Sequence, residues 1–495
     1  MDALMINALV AICICLFFLL QGALHYREIK DEDTFFLYNR RLPNGEYAYS
    51  FAAASTSLAT VLFFFVTFGV VHGIYVLFAP ITYVLGCYLY SKLLLPSLER
   101  QGFFQQNSSP QSISLGTTLA RYIEERYGSK SVKFSIMIIT ILGLASILLI
   151  ELYVGINIFS IYFKPQFIDL ALFWVAFVVF AYTGLGGFIA VVKTDVFQFI
   201  LMFVSTTILL VWLIWTSIQN HTIPDLESFI VHPIVFKGGI LLPYPLLFNI
   251  LVVNLFLIPA LLRTWQMASA SPSAVEVKKG ILKGAVLTTL LTTMFILLGI
   301  FFFRGAFTNS ELSLIGMLNA LRTSQNHFAR YVLFPLFFAG CLAALLSTAD
   351  SALAPILQSF YLDIFKSEKW SHRRVLVFTA ILFIITIVLY FVVFRILRFN
   401  FVSWLFTIFS FSIICSPSIV FAIVAPDDLV KMKKSQITAL ISIWGGFLIA
   451  IILSFIGNKL RIIEIVQLNS PLASIFSSFC FLFLWVVYKK GGPRQ

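Results

Sequence analysis

Thirteen apolar stretches recur along the chain, separated by short breaks rich in charge, Pro or Asn. A helix needs about 20 apolar residues to cross a bilayer, so this pattern predicts thirteen membrane-spanning helices. They run over 3–24, 48–71, 73–96, 134–161, 167–183, 195–217, 244–268, 282–304, 329–360, 375–394, 400–424, 437–457 and 471–488. The longest breaks, around 97–133, 218–243 and 305–328, leave no room for a soluble domain. Within the first of these, SLGTTLARYIEERYGSK predicts a short amphipathic helix ending at Gly128, either a solvated connector or a regulatory element.

Composition agrees with an all-α polytopic membrane protein: 495 residues, 60% hydrophobic and 11% charged, with mean hydropathy +0.96. The 54 Phe residues suit lipid-facing and packing surface. Cys13, Cys15, Cys87, Cys341, Cys415 and Cys480 are scattered through apolar segments, with no spacing that suggests a metal site or a disulfide framework. The six histidines form no metal-binding motif either.

A net charge of +12 raises nucleic acid as a partner, and the distribution of the charge removes it. Asp2 precedes the first span, while Arg27, Lys30, Arg40 and Arg41 follow it, as in a signal anchor with its N-terminus outside. Thirteen spans then place the C-terminus in the cytoplasm. On that topology 24 Lys and Arg residues lie on the inner side and 9 on the outer, with Arg263 near the inner end of span seven. The basic excess is therefore membrane topology, and the expected surroundings are lipid.

Ionisable residues inside the spans are few: Glu151 in span four, Asp195 opening span six, and Asp350 in span nine, with uncharged Asn254 in span seven. A charge at membrane depth costs at least ~2.5 kcal/mol on insertion scales, so each is a candidate functional residue. Asp350 belongs to a knot of oxygens in FAGCLAALLSTADSALAPILQSFYLD, Phe338 to Asp363. Ala344, Ser347 and Thr348 stand at i, i+3 and i+4, and Ser347, Asp350 and Ser351 repeat the spacing. Two overlapping oxygen clusters on one helix suit a small hard cation; they equally suit close packing of helices through small residues and hydroxyls.

At span five the string YTGLGGFIAVVKTDVFQ, Tyr182 to Gln198, resembles the signature of the sodium/solute symporter family at every fixed position. That family includes bacterial proline and pantothenate permeases, sialic acid transporters and sodium/glucose cotransporters. LAALLSTADSALAPIL is similar to the family's ninth-span motif, and LYNRRLP, with Arg40, to the stretch before span two. Physically, Gly186 and Gly187 would permit a tight inner turn, with Asp195 capping the helix after it.

The resemblance implies a LeuT-like core of two inverted five-helix repeats, over 48–217 and 244–424. One extra N-terminal helix (1–25) and two extra C-terminal helices (437–488) would flank it. It implies a sodium-coupled importer of a small polar organic solute in the plasma membrane, the inner membrane of a bacterium, with sodium as coupling ion and no other cofactor. The principal sodium site would take carbonyls of Ala54, Ser57 and Ala344 with the hydroxyls of Ser347 and Thr348. A second cation site would involve Asp195, Ser347, Asp350 and Ser351, where Asp350 replaces a Ser of some relatives. There it would hold sodium more strongly or carry a proton.

The solute is expected near Ser57, Thr60, Glu151 and Asn254. Span two, FAAASTSLATVLFFFVTFGVVHG, lacks the Gly/Pro pair that many members place at its break, so the break itself is an expectation. Ser55, Thr56, Ser57 and Thr60 are placed to rebind backbone groups opened there. Span seven retains Pro259 and Arg263 of a family pattern but not its Gln, and Lys193 stands where an aromatic residue is common. A sensor on the same scaffold is the alternative, needing a separate signalling partner. An intramembrane enzyme lacks any catalytic constellation in the sequence.

Overall fold

The computed structural model describes residues 3–104, 118–161, 165–223, 235–236, 239–240, 243–303, 314–365, 370–396, 401–460, 465 and 468–491. These are almost wholly helical; a two-residue antiparallel ladder pairs Val235–Phe236 with Gly239–Ile240. Helices suit an apolar surrounding because each satisfies its own backbone polar groups. Ten are long and apolar enough to cross a membrane, and two bent pairs raise the number to twelve. The chain is a multi-pass membrane protein.

One of the ten, Ile168–Gln219, has 52 residues. At 1.5 Å per residue that is ~78 Å, more than twice the thickness of a bilayer core. It contains spans five and six, and the chain turns between them at Gly187, where φ is 61° and ψ is −158°. A Cβ there would also stand 2.6 Å from the Phe35 carbonyl oxygen, so glycine is needed twice over. The turn expected between the spans is thus a sharp break at one residue, Gly187, that joins two helices. Asp195 lies two turns beyond it and caps nothing, which corrects the capping role read from the sequence.

Span nine, Ala329–Ile364, is the axis of the bundle: 89% of its apolar window is buried, against 22% for span one (Ala8–Tyr26) and span ten (His372–Ile396). Spans four, five and six close around it. Span eight (Ala274–Phe301) packs along both halves of span two, and span three (Tyr75–Arg100) along span seven. Gly86 lets the latter pair meet backbone to backbone, since a Cβ at 86 would collide with the Asn254 carbonyl.

Two spans are broken. Asn44–Ser55 and Leu58–Gly69, the halves of span two, meet at 61°, and Leu247–Ala260 and Leu262–Ala270, the halves of span seven, at 43°. Both breaks fall in the helix that would begin a repeat. The short helix Leu119–Tyr127 starts at Thr118, whose hydroxyl accepts from the Arg121 N–H, and stops at Gly128 with φ 64°. It is no solvated connector. Arg126 donates to the carbonyls of Ala422 and Ala425, each at 2.7 Å, and pairs with Asp427, while Tyr127 donates to the Ser418 carbonyl at 2.9 Å. Gln101 and Tyr122 join the same face. The helix is stitched to the end of span eleven.

The kink gives a direct prediction. Gly187→Ala should lose at least about 2 kcal/mol, from strained backbone and collision together, and melt lower in detergent. Gly45→Ala, where nothing lies within 4 Å of the added Cβ, should melt with the wild type. Equal melting of the two variants would remove the kink's special need for glycine.

Candidate functional site

The break in span two opens at Thr56 (φ −102°, ψ 63°) and Ser57 (φ −60°, ψ 141°). Side chains take up the freed polar groups, as the serines and threonines of the sequence led us to expect. The Thr56 hydroxyl donates back to the Ala52 carbonyl at 2.8 Å, and Ser57 Oγ accepts from the Thr60 N–H at 2.8 Å. Tyr83 donates to Ser55 Oγ at 2.8 Å. The remaining partner comes from span four. Glu151 Oε1 accepts from the Ser57 hydroxyl and, at 3.3 Å, from the Ala59 N–H. Its Oε2 has no hydrogen-bond partner among the described residues, and the side chain is fully buried.

A second group of buried oxygens lies where spans two, six and nine meet. Asp195 accepts from Ser50 and Ser347, each at 2.6 Å, and from Ser351 at 3.4 Å. Asp350 accepts from the Tyr182 hydroxyl at 2.5 Å through Oδ2, while its Oδ1 is unpartnered among the described residues. Arg263, in the first turn after the break of span seven, donates to the Ser50 carbonyl and lies over the Phe51 ring at 5.9 Å. Its guanidinium acts electrostatically on both Asp195 and Asp350. Asp195 and Asp350 thus face one guanidinium, that of Arg263, at the centre of the bundle.

Between the two groups is a cavity of about 180 Å³. Ala54, Ser57, Thr60, Thr348, Ser351 and Arg263 line it, with an apolar wall that includes Phe64, Phe65, Phe406 and Phe409. The lining comes mostly from the later halves of spans two and eight and the first half of span seven, and reaches past the breaks at Ala54 and Arg263. The cavity thus occupies the half of the bundle on the side where the chain starts. The opposite end is closed by polar contacts. Lys193 pairs with Glu46 at 2.6 Å, Glu276 accepts from the Asn44 backbone and side-chain amides at 2.8 and 2.7 Å, and Lys283 donates to Asn44 at 2.8 Å.

The structure brings Ala54, Ser57 and Thr348 to one cavity wall, and buries Ala344 and Ser347 on the same helix as Thr348. Asp195, Ser347 and Ser351 meet directly; Asp350 stands beside them but bonds to Tyr182. Thr60 and Asn254 line the cavity, although Asn254 Nδ2 is committed to the Ala79 carbonyl at 2.9 Å and Thr82 Oγ1 at 2.8 Å. Glu151 lies behind Ser57 at the break and is not among the lining residues. Sequence reasoning passed over Ser50, Tyr182 and the threonines at 288, 289 and 292. Tyr182 was in view as part of the signature, whereas Ser50 carries no local signal.

With this geometry in hand, comparisons gain a context. A family model described as "Sodium:solute symporter family" matches residues 35–446. Among solved structures, one similar in fold is a Na+-coupled sialic acid symporter in its substrate-bound outward-open state. It is 15% identical, with 97% of this chain and 98% of that one covered and a TM-score of 0.70. A mutant of the Eremococcus coleocola manganese transporter is 13% identical, covering 89% and 95%, with a TM-score of 0.55. A nucleobase-cation-symport-1 family transporter, closed with bromovinylhydantoin bound, is 8% identical, covering 91% and 95%, with a TM-score of 0.50. At these identities the likeness is one of fold. No curated protein sequence matches the chain.

The contact between Tyr182 and Asp350 can be measured. Tyr182→Phe should cost about 1–3 kcal/mol of stability by leaving a buried carboxylate oxygen without a donor. Adding Asp350→Asn should cost less than the sum of the two single changes, in unfolding experiments in detergent. Strict additivity would mean that the two side chains do not interact.

Proposed function

The chain belongs to the sodium:solute symporter family, and from that premise we propose that it imports a small polar organic solute by coupling its movement to inward sodium flow. The observation that carries the reading is the meeting of span nine's hydroxyls with the break in span two. Carbonyls of Ala54, Ser57 and Ala344 and the hydroxyls of Ser347 and Thr348 form the principal sodium site in this reading. Thr348 Oγ1 is unpartnered among the described residues, and Ser347, though it donates to Asp195, keeps oxygen lone pairs for an ion. Mostly neutral oxygens suit a monovalent ion that must leave in every cycle. Asp195, Asp350 and Ser351 form the second cation site, with the free Asp350 Oδ1 as its additional ligand.

Thr60 and Asn254 contact the solute in the cavity; with its Nδ2 committed, Asn254 offers its amide oxygen. Counting the arms on either side of Gly187 separately gives thirteen spans, with the N-terminus outside and the C-terminus cytoplasmic. The charge bias of 24 inside to 9 outside supports that orientation. The cavity then faces outward, and the Lys193–Glu46 and Asn44–Glu276 contacts form the inner seal. Sodium at spans two and nine favours this arrangement; solute binding completes it, and transport requires the seal to part. Membrane potential contributes ~2.3 kcal/mol per charge per 100 mV. The repeats at 48–217 and 244–424 supply the moving and static parts, with 1–25 and 437–488 as flanking helices.

Uptake into proteoliposomes tests the reading, using radiolabelled amino acids, sugars, organic acids and amines under an imposed sodium or proton gradient. A sodium gradient should drive accumulation of at least one solute. Ser347→Ala with Thr348→Ala should raise the half-saturating sodium concentration roughly tenfold or more. Accumulation driven by protons alone, binding without accumulation, or unchanged sodium dependence in the double variant would each overturn the corresponding part.

A further inference from the structure

We propose that Arg263 recognises the head group of the solute, and that the solute is a monocarboxylate with an apolar body. This rests on the sodium-coupled transport reading and assigns the charge class of its solute. Arg263 is the one charged side chain among the described residues that line the cavity; Glu151, Asp195 and Asp350 are not in the lining. Its guanidinium is fixed from two directions. It donates to the Ser50 carbonyl, and the Phe51 ring lies against it with 5.9 Å between guanidinium carbon and ring centre. It is only part-buried and makes no ion pair among the described residues. A guanidinium is always charged and carries its N–H groups in a planar fork, so a bond to one carbonyl leaves most of that fork free. A charge without a partner at membrane depth is costly, and a solute carboxylate would supply the partner through two parallel bonds.

The rest of the polar wall directs an anionic head to that one place. Thr288, Thr289 and Thr292 already donate their hydroxyl protons to the carbonyls of Gly284, Pro80 and Thr288, at 2.9, 3.2 and 2.8 Å. Tyr83 donates to Ser55 Oγ, and Asn254 Nδ2 is committed to span three. These groups turn oxygen lone pairs to the cavity, and a carboxylate, which only accepts, finds no partner in them. The apolar wall, including Ile147, Phe64, Phe65 and Phe409, suits a hydrocarbon body. Asp195 and Asp350 act on the same guanidinium from outside the lining. A sodium ion held with them, as in the second-site reading, compensates those acids and leaves the charge of Arg263 to the solute.

3-Phenylpropionate and phenethylamine share a body and differ in the charge of the head. Their affinities for the purified full chain in saturating sodium should differ by roughly tenfold or more in favour of the carboxylate. Arg263→Gln keeps a donor for the Ser50 carbonyl but removes the charge, and should bring the two within about threefold. Arg263→Lys keeps the charge and should keep the sign of the preference. A guanidinium that only ties span seven to span two would affect both probes alike in Arg263→Gln and leave their ratio unchanged; that result overturns the proposal. So does preference for the amine, equal binding, or binding of neither probe to the wild type. If Arg263→Gln fails to fold, the wild-type ratio decides. Sodium binding without either probe, measured in parallel, separates the two readings. Its absence sinks sodium coupling, whereas sodium binding with the wrong probe ratio sinks only the assignment of Arg263.

Discussion

A helix that breaks at membrane depth must have its freed N–H and C=O groups met by the protein or by a lined cavity, and this constraint governs the centre of the molecule. Span two breaks without the Gly/Pro pair that would relax its backbone, so the compensation comes from side chains. Thr56 returns to the preceding helix, Ser57 caps the following one, and Glu151 reaches in from span four. The solution is structural and electrostatic together, because the last of these groups is a carboxylate.

The same economy appears about two turns toward the other end of span two. Ser50 donates its hydroxyl to Asp195 and offers its carbonyl to Arg263, so one residue links the acid of span six to the base of span seven. Ser347 and Ser351 bring span nine to the same carboxylate. Four spans thus meet at a few polar atoms, two of them the broken ones. Movement of span two against span nine must therefore change the environment of Asp195. A cation held between them, as proposed, would oppose that movement and so would favour one arrangement.

Much of this was legible because helical spacing fixes which residues share a face. Ser347 and Ser351 are four residues apart, and the structure places both on Asp195 as that spacing requires. The break in span two was expected only from the family resemblance; its cluster of hydroxyls indicated what could cover it. What could not be read was which distant carboxylate serves which helix. Glu151 is separated from Ser57 by 94 positions and Asp195 from Ser50 by 145, so only tertiary packing pairs them. The capping role given to Asp195 failed because the chain turns at Gly187, so the following helix starts there and Asp195 lies two turns inside it. Asn254 was read as a solute contact from its polarity alone, whereas much of its capacity binds span three.

Asp350 shows how a single residue type can change a site without changing its frame. A serine there would bring a hydroxyl; the aspartate brings a second charge within the field of Asp195 and Arg263. Two like charges in a low-dielectric centre raise the energy of the empty site, and Tyr182 relieves only one of the four carboxylate oxygens. The guanidinium is shared and already bonded to Ser50, so its compensation is incomplete. A cation placed between them, as in the second-site reading, would compensate the pair more than it would a single acid. If the second cation site is as proposed, the added acid would either hold sodium more strongly, and so slow its departure, or carry a proton in its place.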